Sequence, residues 1–301
     1  MNAPVTRAGF VALVGAPNAG KSTLLNALVG AKIAIVTHKV QTTRNRILGI
    51  TIRGNSQIIF IDTPGIFKKP KRRLERAMVD AAWKGISGAD LTALMVDAKA
   101  GITGQARYIA GALKKQNVRA VLVLNKIDKV ARDQLLAQSG QLNKMAEFEE
   151  TFMISALKGD GVSDLFDYLS KAVPKGPWLY PEDQMTDVSL RFLASEITRE
   201  QIFLNLHQEL PYALAVETTR WQERRDGSVR IEQNILCDKD GHKAMVIGKK
   251  GAMLKKIGTA AREEMGQVFD RKVHLFLFVK VSKDWLEKPF HYREIGLDFP
   301  R

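Results

Sequence analysis

Eight residues near the N-terminus have the types and spacing to hold a polyphosphate. They are Gly15-Ala16-Pro17-Asn18-Ala19-Gly20-Lys21-Ser22, with Thr23 next in line. The stretch matches G-x-x-x-x-G-K-[ST], follows an apolar run and opens a helical one, which is the context the pattern needs. Its glycines let successive backbone N–H groups point into one cavity, where the start of the helix adds partial positive charge. Lys21 is expected to neutralise the β and γ phosphates, and Ser22 to offer its hydroxyl to Mg²⁺. The bland alternative, a Gly-rich turn with a surface lysine, does not account for the flanking strand and helix.

A phosphate loop does not choose a base; Asn125-Lys126-Ile127-Asp128 does. A carboxylate at Asp128 accepts from both N1–H and the exocyclic N2 amine of guanine. Adenine has neither donor on that edge, and a site left with an unpaired buried acid rejects such an analogue by about four to five orders of magnitude. Asn125 is expected to reach N7 and the phosphate loop, and the Lys126 stem to cover a ring face. Ser155-Ala156 follows the next apolar run, with the Ala156 N–H facing the guanine O6. GTP and GDP are therefore the expected ligands.

Two further segments read as switches. Asp62-Thr63-Pro64-Gly65 ends an apolar run; Asp62 anchors the Mg²⁺ shell through water and the Gly65 N–H meets the γ-phosphate. Upstream lies Val40-Gln41-Thr42-Thr43-Arg44, from which one threonine closes over Mg²⁺: Thr43 is favoured, Thr42 is the alternative. Lys21, Thr43, Asp62 and Gly65 are thus the expected catalytic set. Ile66 follows Gly65, so no side chain there can orient an attacking water.

These motifs need a scaffold that brings loop after loop to one edge. Apolar runs at Phe10–Val14, Ile47–Ile52, Ile58–Ile61, Leu91–Val96, Ala120–Leu124 and Phe152–Ile154 alternate with helical stretches such as Leu74–Lys84, Gln105–Lys115 and Val162–Ala172. That alternation predicts an α/β fold with a mostly parallel six-stranded sheet and ligands at the carboxyl ends of its strands. Pro174–Pro181, with three prolines and a glycine, breaks the pattern. The division expected is a G domain over 1–175, a linker over 176–186 and a second domain over 187–301. The second reads helix (Ser189–Gln208), strand (Ala213–Trp221), strand (Val229–Leu236), a short loop or helix (Gly241–Val246), helix (Ala252–Gln267) and strand (Val273–Val281).

Between its second and third helical segments lies Ile247-Gly248-Lys249-Lys250-Gly251. A Gly-x-x-Gly corner lets helix ends approach a sugar–phosphate backbone, and the order α-β-β-α-α-β around it is that of an α+β, type II KH domain, which clamps about four single-stranded nucleotides. Lys243, Lys255 and Lys256 add charge nearby. The alternative is a tight turn with solvated lysines.

The net charge of +14 over 301 residues points to a polyanionic partner, nucleic acid or an acidic membrane surface. Residues 1–175 hold 26 basic against 13 acidic side chains, and residues 176–301 hold 20 against 19. A basic run, Lys68-Lys69-Pro70-Lys71-Arg72-Arg73, follows the second switch. The lone cysteine, Cys237, excludes an internal disulfide. No apolar run is long enough to span a bilayer, so a cytoplasmic, monomeric protein with at most peripheral contact at the inner membrane face is expected.

Together the nucleotide segments resemble the translation-factor-related G proteins, and Thr42-Thr43-Arg44 with Asp62–Gly65 is nearest the Era/TrmE branch. With the KH segment behind it, almost the whole chain resembles the bacterial ribosome-assembly GTPases of the Era family. The resemblance implies binding to 16S rRNA near its 3′ end and to the small ribosomal subunit during 30S maturation. It also implies K⁺ held partly by Asn18, which would stabilise transition-state charge in place of an arginine finger.

Overall fold

The computed structural model describes residues 5–39, 41–68, 70, 72–207, 210–283, 285, 292 and 297–300. Val40, Lys69 and Lys71 of the two switch segments, and the end of the helix expected to reach Gln208, lie outside them. The chain forms two compact units. One holds Met1–Ala34 and Thr43–Asp187, with Pro300–Arg301; the other holds Ile35–Thr42 and Val188–Phe299.

The first unit is an α/β sandwich. Its strands are β1 (Arg7–Gly15), β2 (Ile47–Arg53), β3 (Ser56–Asp62), β4 (Leu91–Asp97), β5 (Ala120–Asn125) and β6 (Thr151–Ile154). They lie in the order β2-β3-β1-β4-β5-β6, all parallel except β2, which runs antiparallel to β3. The near-continuous apolar runs suit strands covered on both faces. Helices α1 (Lys21–Val29), α2 (Arg73–Ser87), α3 (Gly104–Lys115), α4 (Arg132–Met145) and α5 (Val162–Ala172) supply that cover. Ala12, Val14, Leu94, Leu122 and Leu124 of the sheet pack with Ile86, Ile109 and Leu113 of α2 and α3. Helix α4 carries only Leu135 and Leu142 as fully buried residues, so its periodic signal is faint.

The proline-rich stretch after α5 is stitched to the first unit. Gln57 at the start of β3 donates to the Tyr180 carbonyl and accepts from the Leu179 and Tyr180 amides, at 2.8–3.0 Å. Thr186 Oγ1 donates to the Leu48 carbonyl at 2.7 Å. Backbone bonds add to these: the Gly176 amide donates to the Thr6 carbonyl at 3.1 Å and the Ile50 amide to the Met185 carbonyl at 2.8 Å, while the prolines, lacking an N–H, donate nothing.

The second unit contains α6 (Leu190–Asn205), β7 (Ala215–Glu223), β8 (Val229–Cys237), α7 (Asp240–Ile247), α8 (Ala252–Val268) and β9 (Val273–Val281). Strand order is β7-β8-β9, with β7 antiparallel and β9 parallel to β8. Ser189 caps α6 by accepting from the Phe192 amide. The strand expected from Ala213 begins instead at Ala215, because Leu210–Ala213 is a single 3₁₀ turn around Pro211. One face of the sheet packs on α6 and α8 through Ile202, Phe203, Ile235 and Ile257, and through Ile197, Ile231, Ala261 and Met265.

Candidate functional site

The carboxyl ends of β1, β3 and β5 place the motifs side by side. Backbone register aligns Leu13 with Asp62 across β1 and β3, and Asp97 with Asn125 across β4 and β5. Gly20 begins α1 in the left-handed region at φ 95°, and a Cβ there would sit 2.2 Å from the Asn125 amide nitrogen. Both conditions require glycine.

Lys21 is buried and curls back over the loop, donating to the carbonyls of Ala16 (3.2 Å) and Gly15 (3.4 Å). Ser22 Oγ donates to Asp62 Oδ2 at 2.6 Å and stands 2.8 Å from Thr43 Oγ1, itself 3.4 Å from the same carboxylate oxygen. Thr43, not Thr42, therefore sits beside Ser22 and Asp62. Thr42 Oγ1 donates to the Lys39 carbonyl. Burial drives both charged groups toward neutrality. It lowers Lys21 to about 8 against the attraction of Asp62, and raises Asp62 to about 6 against Lys21 and the Ser22 and Thr43 hydroxyls. Asp62 Oδ1 is buried and, among the described residues, has no hydrogen-bond partner, although the nearby Thr63 amide also favours the ionised carboxylate.

Thr63 is fixed by its hydroxyl to the Leu13 carbonyl (2.8 Å), and the Ile66 amide donates to the Gly15 carbonyl (3.2 Å). Pro64 and Gly65 are thereby held against the phosphate loop. The Ile66 side chain is fully buried in the sheet–helix core, with Val14 and Ile86. Asn18 is left-handed (φ 64°) and exposed, and Thr23 is half-buried on the first turn of α1.

Asn125 joins the base loop to the phosphate loop. Its Nδ2 donates to the Ala19 carbonyl at 2.8 Å, and its Oδ1 accepts from the Lys126 amide at 2.8 Å. The Ala156 amide, expected to face a guanine O6, donates to that same Oδ1 at 3.0 Å. Ser155 Oγ donates to Asp128 at 2.9 Å, and this bond, above all, keeps the Asp128 carboxyl below its ordinary value. Lys126 Nζ reaches the Asn18 carbonyl (2.7 Å) and Asp97 Oδ2 (2.5 Å). Asp97 escaped the sequence reading. Its signal was its place at the end of β4, level with Asn125.

In the second unit, Gly248 links α7 to a short 3₁₀ turn over Lys249–Gly251. It adopts φ 70°, and a Cβ there would lie 2.7 Å from that of Met253. Lys249 and Lys250 stand exposed at the corner, as do Lys255 and Lys256 on α8; Ile247, Lys243 and Gly251 are half-buried.

The fold and the site define a P-loop GTPase joined to a KH domain. Residues 10–126 match the family described as 50S ribosome-binding GTPase, and residues 209–286 match the KH domain family. The chain is 57% identical over 296 residues to GTPase Era of Rhizobium meliloti, covering 98% of this chain and 94% of that one. It is 56% identical over 301 residues to GTPase Era of Dinoroseobacter shibae, covering 99% and 97%. Among solved structures, Aquifex aeolicus Era bound to GDP and aluminium fluoride superposes with a TM-score of 0.91 at 39% identity, covering 97% of this chain and 99% of that one. An Era complex with MgGDPNP and nucleotides 1506–1542 of 16S ribosomal RNA gives the same TM-score, identity and coverage. The chain belongs to the Era family of GTPases, and it is a GTP-hydrolysing enzyme.

Among the described residues no helix is long and apolar enough to cross a membrane.

Proposed function

We propose that this chain is a GTP-driven switch that binds 16S rRNA near its 3′ end and acts, as a monomer, on the small ribosomal subunit during 30S assembly. The observation that carries the reading is the cluster of Ser22, Thr43 and Asp62, whose hydroxyl and carboxylate oxygens lie 2.6–3.4 Å apart, together with the buried Lys21. Burial disfavours the charges of Lys21 and Asp62 when they have only each other, so the cluster suits charges brought by a ligand. The phosphate oxygens of GTP suit Lys21 and the amides from Gly15 to Thr23.

Mg²⁺ fits the oxygen donors at hand. Two hydroxyls converge on one carboxylate whose second oxygen is buried with no hydrogen-bond partner among the described residues, and hard cations prefer such oxygen ligands. Ser22 and Thr43 would hold the ion directly and Asp62 through water; bound there it neutralises charge on the transferred phosphoryl group.

The chain's own groups do the positioning. Lys21 holds β and γ oxygens, the Gly65 amide meets the γ-phosphate, and Thr43 closes the Mg²⁺ corner. Asp128, oriented by Ser155, takes guanine N1–H and N2–H. Asn125 spans base loop and phosphate loop, and Lys126, steadied by Asp97, covers the ring. Ile66 is committed to the core, so its side chain cannot orient the attacking water; K⁺, were it held partly by Asn18, would supply positive charge beside the phosphates. Released contacts at Thr43 and Gly65 then report hydrolysis to the RNA-binding unit, where Ile247–Gly251, Lys243 and Lys255 hold single-stranded RNA. The basic excess of residues 1–175 suits rRNA and also peripheral contact with an acidic inner-membrane surface.

The test is GTP hydrolysis with and without a 16S 3′-end RNA, in K⁺ and in Na⁺. Stimulation by the RNA, greater in K⁺, is expected. No hydrolysis under any of the four conditions would overturn the reading.

A further inference from the structure

The switch segment before Thr43 is gripped by a buried charged cluster on α6. Glu196, Arg199 and Glu200 are 9%, 2% and 3% exposed, a degree of burial that charged side chains tolerate only with partners. Arg199 is held by both carboxylate oxygens of Glu196, its Nε lying 2.7 Å from one of them, and its guanidinium lies over the Phe203 ring at 5.3 Å. Its remaining donors go to main-chain carbonyls, those of Thr42 (2.5 Å) and Gln41 (3.5 Å). The next residue, Glu200, accepts from the Val36 amide at 2.7 Å. Lys39 donates its ammonium to the Leu206 carbonyl at the end of the same helix. Within the segment, Thr37 and Thr42 hydroxyls meet at 2.6 Å.

This grip explains why Ile35–Thr42 belongs to the second compact unit although the chain on either side belongs to the first. A single peptide bond separates Thr42, held by Arg199, from Thr43, whose hydroxyl meets Ser22 and Asp62. The fork of the guanidinium fixes two successive carbonyls, which a lysine cannot do equally well.

We propose that Arg199 is a positioning residue for the triphosphate-bound state, acting through Thr42 on Thr43. This rests on the nucleotide-site reading above. Holding the 41–42 backbone presets the conformation from which Thr43 closes. A ligand that needs Thr43 in place favours the gripped segment, and by reciprocity the gripped segment favours that ligand. A switch ordered by the γ-phosphate makes this demand; GDP does not. Glu200 supports the same arrangement from Val36.

The experiment uses the full chain, wild type and with Arg199→Gln or Arg199→Lys, titrated with Mg·GDP and with a Mg-bound non-hydrolysable GTP analogue. In Arg199→Gln the ratio of analogue to GDP affinity should fall by about tenfold, within the usual span of coupling between sites. GDP affinity should stay within about twofold of wild type, and Arg199→Lys should recover part of the loss. An unchanged ratio in Arg199→Gln, or an equal loss for both nucleotides, would overturn the proposal. Should Arg199→Gln fail to fold because Glu196 is left unpaired, Arg199→Lys decides by the same ratio: a fall supports the proposal and no change overturns it. A wild-type chain that binds neither nucleotide sinks the site reading and this inference with it. Wild-type binding with unaltered variants sinks only the inference.

Discussion

Asn125 Nδ2 donates to the Ala19 carbonyl at 2.8 Å, tying the loop expected to read the base to the loop expected to hold the phosphates. The same side chain accepts from the Lys126 and Ala156 amides, so one buried carboxamide joins three segments. Replacing it by alanine leaves those groups unpaired, and each unsatisfied buried donor or acceptor costs about 1–3 kcal/mol. Asn125→Ala should therefore weaken GDP and GTP alike, by roughly a hundredfold or more. Titration with both nucleotides checks this; a loss confined to one of them would mean the joint serves only that state.

Asp128 is held by Ser155 with its carboxyl below the ordinary range, so it is ionised at neutral pH. Asp128→Asn should shift preference from GTP toward XTP, since the amide can donate to the extra carbonyl. Competition between the two nucleotides measures it, and an unchanged order of preference would remove Asp128 from base selection.

Asp62 offers a pH test on the nucleotide-free chain. Its native value, about 6, lies above that of an exposed carboxyl. An acid raised in this way is better tolerated protonated. Its cost to stability is present above about pH 6 and fades as pH falls toward about 4. Asp62→Asn should thus be more stable than wild type near pH 7.5, on the order of 1–3 kcal/mol, with the gap closing near pH 4. Denaturant unfolding at both pH values reads this difference. A variant less stable at pH 7.5 would show that the attraction of Lys21 outweighs burial.

Lys249 and Lys250 are exposed at the Gly-x-x-Gly corner. Replacing both with aspartate should weaken single-stranded RNA binding and flatten its salt dependence by about one to two ions in the log–log slope, leaving GTP affinity intact. Filter binding across a salt series checks it. Retained RNA affinity would place the RNA elsewhere.

Much of this was legible in the residues. The strand runs, the phosphate loop, Asn125–Asp128 and the second-unit order all stand where spacing put them, because alternating apolar runs and glycine positions are local signals. What escaped depended on tertiary contact. Helix α4 buries too few residues for a clear period. Asp97 means little until β4 and β5 align it with Asn125. Thr42 and Thr43 are adjacent and chemically alike, and only the fold sends one to Lys39 and the other to Ser22 and Asp62. The bond from the Ala156 amide to the Asn125 oxygen likewise joins loops 31 positions apart. The hold of Arg199 on Gln41 and Thr42 joins residues more than 150 positions apart, beyond any local pattern.

The most direct measurement of the central claim is a competition titration of the purified chain with GTP and ATP in Mg²⁺, alongside Lys21→Ala. The account expects GTP to win by several orders of magnitude and Lys21→Ala to lose nucleotide binding or hydrolysis. ATP binding as tight as GTP, or wild-type turnover in Lys21→Ala, would contradict it.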